Sequence, residues 1–280
     1  GLWKWQVILN SQGYNIPLRK LAGLYLASFS LIYLFPMMLL GEEIFKGYVL
    51  KEKFSIPWKN GITSIFVDKI LEITSFLIVI FAGFIFFLLE IGLPPKNLGI
   101  ILGGGLFLST ALTGFLYFKI FKKESIVKIL AKFFNHRRLS YAELLETEKE
   151  IFFFFKFRRR ALSQALFLSF LRVIVTWLRC WLLILFLGKT IGFLPTLSIL
   201  GFYYFAFMVP IPAALGLHEV IQTFSFTALG LGGGTATAFT VILRGAELIF
   251  VFIGLAIFLK LGMGLLQNFF SRKIENLAGK

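Results

Sequence analysis

Five ionisable side chains, Arg172, Arg179, Glu219, Arg244 and Glu247, lie inside otherwise apolar stretches of the chain. On insertion scales an ionisable residue at a helix centre costs roughly 2.5–3.5 kcal/mol, so the five in isolation would cost about 12–18 kcal/mol. An ordinary domain has a stability margin of only about 5–15 kcal/mol. Most of these groups must therefore pair or face water. Their spacing sorts them into stripes. Ser169, Arg172, Thr176 and Arg179 are separated by 3, 4 and 3 residues, and Thr237, Thr240, Arg244 and Glu247 repeat that pattern. Ser64, Asp68, Glu72 and Ser75 are separated by 4, 4 and 3. On a helix, each set occupies one face. The three stripes are expected to line a common wet interior. The alternative is structural ion pairing, such as Arg172 with Glu219 or Glu247.

The signs of these charges suggest guests. The planar fork of arginine suits phosphate or carboxylate oxygens, so Arg172, Arg179 and Arg244 point to an anionic group such as a lipid phosphate. Glu219, Glu247 and the neighbouring His218 complete that half. An acidic set, Glu42, Glu43, Asp68 and Glu72, with Lys69 nearby, suits a cationic moiety or protons. Other chemistries find no support. His218-Glu219 begins like a zincin motif, but the fifth position is Gln222 and the second metal-binding histidine is missing. The two histidines, His136 and His218, and the single Cys180 do not form a metal set. There is no nucleophile elbow and no Walker A loop. We expect no enzyme activity, no metal and no cofactor.

The elements that must position these residues are membrane helices. The chain has 280 residues, 58% hydrophobic and only 15% charged, with 36 Phe and a formal net charge of +15. Soluble domains are about 45–50% apolar and about 25% charged. One cysteine excludes a disulfide scaffold, and the hydrophobicity excludes disorder. A nucleic-acid partner would account for the charge but not for the apolar content. Four segments, 70–91, 98–121, 161–187 and 235–260, meet the need for about 20 apolar residues per span. Two more, 21–40 and 196–217, run apolar into Pro36 and into Pro210 and Pro212, then meet Glu42-Glu43 and His218-Glu219. The stretches after them, 44–54 and 220–230, are too short to span. Both units read as broken or re-entrant hairpins, with two proline-kinked spans as the alternative.

A shift of 176 residues superposes the hairpins: Pro36 falls on Pro212, Leu39 on Leu215, Glu43 on Glu219 and Asp68 on Arg244. The basic residues supply orientation, because Lys and Arg collect in cytoplasmic loops. They are dense in 122–160 and present in 46–59 and at both ends, including Lys4 and Lys46. The connections 92–97 and 188–195 carry only Lys96 and Lys189. Both ends and the 122–160 loop are thus expected in the cytoplasm. The two copies (20–91 and 192–262) then form an inverted-topology repeat, the architecture of many transporters; full spanning of both hairpins would make the copies parallel instead. Within the loop, Ile126, Ile129, Leu130 and Phe133 beside Lys122, Lys123, Lys128 and Lys132 predict an amphipathic helix on an anionic leaflet. Arg158–Arg160, just before a span, reads as an orienting cluster. The clusters Gly103–Gly105 and Gly232–Gly234 read as close-packing or helix-breaking positions.

These motifs resemble the lysylphosphatidylglycerol synthase transmembrane, or flippase-like, family of bacterial and archaeal membrane proteins. Pro36, Gly41, Glu42, Glu43 and Lys46 resemble its P…GE/D…R motif, and Val67-Asp68-Lys69-Ile70-Leu71-Glu72 its acidic helix start. Pro212 through Glu219, followed by Arg244 and Gly254, resembles its P-G-G-x-G-x-x-E turn. Lysines at 46 and 69 replace the usual arginines, and Ala213 and Ala214 stand where glycines are frequent. The resemblance implies an all-α polytopic protein of the bacterial or archaeal cell membrane that translocates an anionic, aminoacylated or polyprenyl-linked lipid. It also implies a further helix before Trp3-Lys4-Trp5. Membrane phospholipids are the expected partners, with a lipid-modifying synthase, a glycosyltransferase or a second copy of the chain as protein partners. An ion or small-solute transporter and a non-transporting membrane partner are the competing readings.

Overall fold

A computed structural model describes residues 1–35, 41–92, 96–122, 141–209 and 216–278. Among these residues there are ten α-helices and no strand. They are α1 (Leu2–Ser11), α2 (Leu18–Leu34), α3 (Gly41–Phe54), α4 (Trp58–Ile91), α5 (Lys96–Lys122), α6 (Tyr141–Phe157), α7 (Arg159–Phe186), α8 (Thr196–Met208), α9 (Leu217–Ala228) and α10 (Gly233–Ala278). Pro36, Pro210 and Pro212 lie outside the described residues. So does 123–140, which holds most of the expected amphipathic loop helix.

Among the described residues three helices, Trp58–Ile91, Arg159–Phe186 and Gly233–Met263, are long and apolar enough to cross a bilayer. At 1.5 Å per residue the 28 residues of α7 reach about 42 Å, beyond a core of about 30 Å. The hairpin legs are shorter: α8 reaches about 20 Å and α9 about 18 Å, so neither crosses by itself. The chain is an all-α polytopic membrane protein.

Packing contacts give the helix senses. Tyr25, midway along α2, lies under the Lys46 ammonium of α3 at 5.5 Å, and Leu21 and Leu24, early in α2, share a core with Val49 and Leu50, late in α3. Leu50 and Gly47 of α3 face Gly61 and Ile62 at the start of α4. The chain thus reverses twice, and α2 runs parallel to α4. The second unit does the same: Gln222 of α9 donates to the Ile199 carbonyl of α8 at 3.4 Å, and Phe226 meets Phe239 of α10. The first leg of each hairpin packs on the long helix of the other unit. Gly83 of α4 faces Leu197 and Gly201 of α8, while Gly254 of α10 faces Leu26 and Ser30 of α2. Gly201 in turn faces Val79, and Gly23 faces Ile257, so both crossings are antiparallel. The registers also agree. Gly254 lies 171 residues after Gly83, and Leu26 and Ser30 lie 171 residues before Leu197 and Gly201. The two units therefore run in opposite senses, as an inverted pair does.

Glycine permits these crossings, because a side chain at 83 would meet the Leu197 carbonyl at 2.5 Å. The two glycine clusters divide between the two expected roles. A Cβ at Gly103 or Gly104 meets nothing within 4 Å among the described residues, while Gly232 breaks the helix as expected, at φ +86°. Aromatic packing fills the core around the α4–α8 crossing. Phe76 stacks on Tyr204 at 4.3 Å, and Phe87 meets Phe202 edge-on at 5.0 Å. Helix α1 lies inside the fold, with Trp5, Ile8 and Leu9 buried.

Candidate functional site

The polar stripes reach two sites. The first forms on α4, where Asp68 and Glu72 are one turn apart. Lys4 of α1, 2% exposed, places its Nζ 2.9 Å from the Asp68 carboxylate and donates to the Asp68 carbonyl at 3.0 Å. Arg172 of α7 donates to Glu72 at 2.5 Å and sits over the Phe76 ring at 5.8 Å. Lys46 pairs with Glu42 one turn earlier on α3. Lys69 reaches across to Glu42 at 3.4 Å and Glu43 at 3.8 Å. Glu42, Glu43, Asp68, Glu72, Lys46, Lys69 and Arg172 all line one cavity of about 60 Å³. That is room for about two waters at liquid density. The acids Glu42, Glu43, Asp68 and Glu72 are matched by Lys4, Lys46, Lys69 and Arg172. Partly buried charges survive in such a place only when matched this way.

The second site lies among α2, α8, α9 and α10. Tyr203 donates to the Glu247 carboxylate at 2.5 Å, and Arg244 donates to the Tyr33 hydroxyl at 3.1 Å. The buried His218 ring lies 5.0 Å from the Tyr203 ring. Beside it, Glu219 Oε2 is buried with no hydrogen-bond partner among the described residues. Glu219 lines a groove of about 640 Å³ with Val220, Thr223, Phe224, Thr227 and Ala228. It is the one charge among those lining residues.

The structure changes several expectations. Among the described residues the stripe charges pair in two groups: Asp68, Glu72 and Arg172 line one cavity, while Arg244 and Glu247 bond to Tyr33 and Tyr203, with His218 against Tyr203 and Glu219 next to it on α9. Arg179 is exposed on α7. Arg172 pairs with Glu72, not with Glu219 or Glu247. Lys4 and Lys46 are buried ion-pair partners, not loop charges. The tyrosines Tyr33 and Tyr203 carry no signal in sequence, since an aromatic in an apolar helix reads as packing. Lys4 had one, a lysine between Trp3 and Trp5 at the start of an apolar run. Among the described residues, no group of three His, Cys, Asp or Glu could hold a metal ion.

The 176-residue correspondence shows where the two sites differ. Glu43 and Glu219 correspond under that shift, as do Lys46 and Gln222. In the first unit Lys69 covers the glutamate. In the second unit Glu219 Oε2 takes no partner among the described residues.

The chain also resembles known proteins. It is 23% identical over 252 residues to the UPF0104 membrane protein MJ1595 of Methanocaldococcus jannaschii, covering 86% of this chain and 74% of the relative. No solved structure matches it. The family model for the lysylphosphatidylglycerol synthase transmembrane region matches residues 1–254, and the chain belongs to that family.

Proposed function

We propose that this chain moves a lipid with an amine-bearing headgroup between leaflets, with Glu219 receiving the ammonium. One observation carries the reading: a carboxylate with a buried, unsatisfied oxygen in a groove of about 640 Å³. An unsatisfied buried acceptor costs about 1–3 kcal/mol, more when it is charged, and a cationic guest would remove that cost. The equivalent glutamate of the first unit has Lys69 in that role. The apolar neighbours Val220, Phe224 and Ala228 suit acyl chains, and Arg244 of the adjoining helix α10 is the fork donor assigned to the headgroup phosphate. Aminoacylated phosphatidylglycerol has both features. On this reading the protein sits in the cell membrane with both ends inward, acts without catalysis, and receives its lipid from a synthase or glycosyltransferase.

The test is leaflet exchange of fluorescent lipids in liposomes carrying the purified protein. Glu219→Gln is expected to slow exchange of an aminoacylated lipid at least tenfold, with the protein still folded by size exclusion. Unchanged exchange would remove Glu219 from the site. Exchange of small ions with no exchange of lipid would overturn the lipid reading itself.

A further inference from the structure

A third charged place lies at the corner where α6 ends and α7 begins. The helix breaks at Arg158 (φ −98°, ψ 43°), and α7 starts with no side-chain cap and no acidic residue in its first turn. Packed against that corner is the end of α1. Between them is a cleft of about 400 Å³ whose polar lining is Asn10, Ser11, Arg158, Arg160 and Gln164. No acidic residue is among those lining it. The buried lysines of the first site behave differently: Lys4 and Lys46 each have a carboxylate. Arg158 has an aromatic neighbour, Phe153 at 5.7 Å, but its buried Nε takes no hydrogen-bond partner among the described residues. Two guanidinium groups and a half-satisfied fork without an acid are suited to an anion with several oxygens, and a phosphate is the natural match.

The position selects the source. The apolar stretch of α7 begins at Ala161, so Arg158 and Arg160 sit where the spanning helix meets the headgroup layer. Arg160 and Gln164 share a helical face with Phe167, Leu171 and Ile174, at spacings of 4, 3, 4 and 3. Those three apolar residues are 67%, 40% and 53% exposed. A phosphate held in the cleft would have its acyl chains lying along that stripe. We propose that the α1–α7 cleft is a resident site for a phosphate-bearing ligand, supplied by a phospholipid of the surrounding leaflet and held by Arg158 and Arg160. It is separate from both charged sites of the bundle and does not depend on the transport reading. It also gives α1 a reason to stay docked, since a lipid held there would bridge α1 to α7.

The test is native mass spectrometry of the delipidated full chain, titrated with phosphatidylglycerol, with a phosphate-free glycolipid or with glycerol phosphate. Wild type is expected to retain one phosphatidylglycerol more than the double variant Arg158→Gln, Arg160→Gln, with affinity for that lipid lowered at least tenfold. Arg160→Gln alone, at an exposed position, is expected to give an intermediate loss and guards against misfolding of the double variant. Lys189→Gln, at the far end of α7, is expected to change nothing. Displacement of the lipid by millimolar glycerol phosphate would keep the phosphate site and assign it a soluble ligand. Equal retention by the Arg158 and Arg160 variants, or equal retention of the glycolipid, would overturn the proposal.

Discussion

Arg172 and Glu72, 100 positions apart in sequence, meet at 2.5 Å and tie α7 to α4. The pair is partly exposed, with side chains 37% and 18% accessible, so its contribution is below that of a fully buried pair. Glu72→Gln or Arg172→Gln is expected to destabilise the protein by about 1–3 kcal/mol, the cost of a charge left without its partner. Thermal unfolding in detergent measures this. The double variant Glu72→Gln, Arg172→Gln is expected to be less unstable than the two single losses added together. Strict additivity would show that the pair is not coupled.

Lys4 and Asp68 form a deeper pair, at 2% and 11% side-chain exposure. Lys4→Met leaves Asp68 uncompensated and is expected to cost about 3–5 kcal/mol. Proteolysis near the N-terminus would report α1 leaving the bundle. A Lys4→Met protein as stable as wild type would show that Asp68 does not rely on this lysine.

The two swapped crossings predict matched sensitivity. A methyl group at position 83 meets the Leu197 carbonyl, and one at position 254 collides with the Leu26 carbonyl and the Ser30 hydroxyl. In both places backbone must move, so Gly83→Ala and Gly254→Ala are each expected to destabilise by about 1–3 kcal/mol. At Gly245 a Cβ meets nothing within 4 Å. There Gly245→Ala is expected to be neutral or to stabilise by up to about 1 kcal/mol through helix propensity. Melting temperatures of the three variants check the contrast.

Periodicity and composition are local properties, and they were legible in the chain. The spans around Trp58–Ile91, Arg159–Phe186 and Gly233–Met263 follow from apolar length, and the stripes through Asp68, Arg172 and Arg244 follow from the helical repeat. The hairpins and their 176-residue relation followed from repeated types at repeated intervals. Partner choice is different. Spacing says that Arg172 faces inward but not what it meets, since Glu72, Glu219 and Glu247 all satisfy the same charge rule. Lys4 read as a loop charge because a short N-terminal helix can lie outside a bundle or inside it with equal local propensity.

By itself the sequence determined that this is an all-α membrane protein, which residues form polar faces, and that its two halves are related. Those properties depend on bilayer thickness and on 3.6 residues per turn, which act within one segment. Only the tertiary structure decided that each hairpin packs on the other half's long helix, that acids and bases pair in a compensated cavity, and that Glu219 is the glutamate left unsatisfied. Those outcomes turn on how closely backbones approach at Gly83 and Gly254. That distance is set by packing between segments more than a hundred residues apart, and no local pattern carries it.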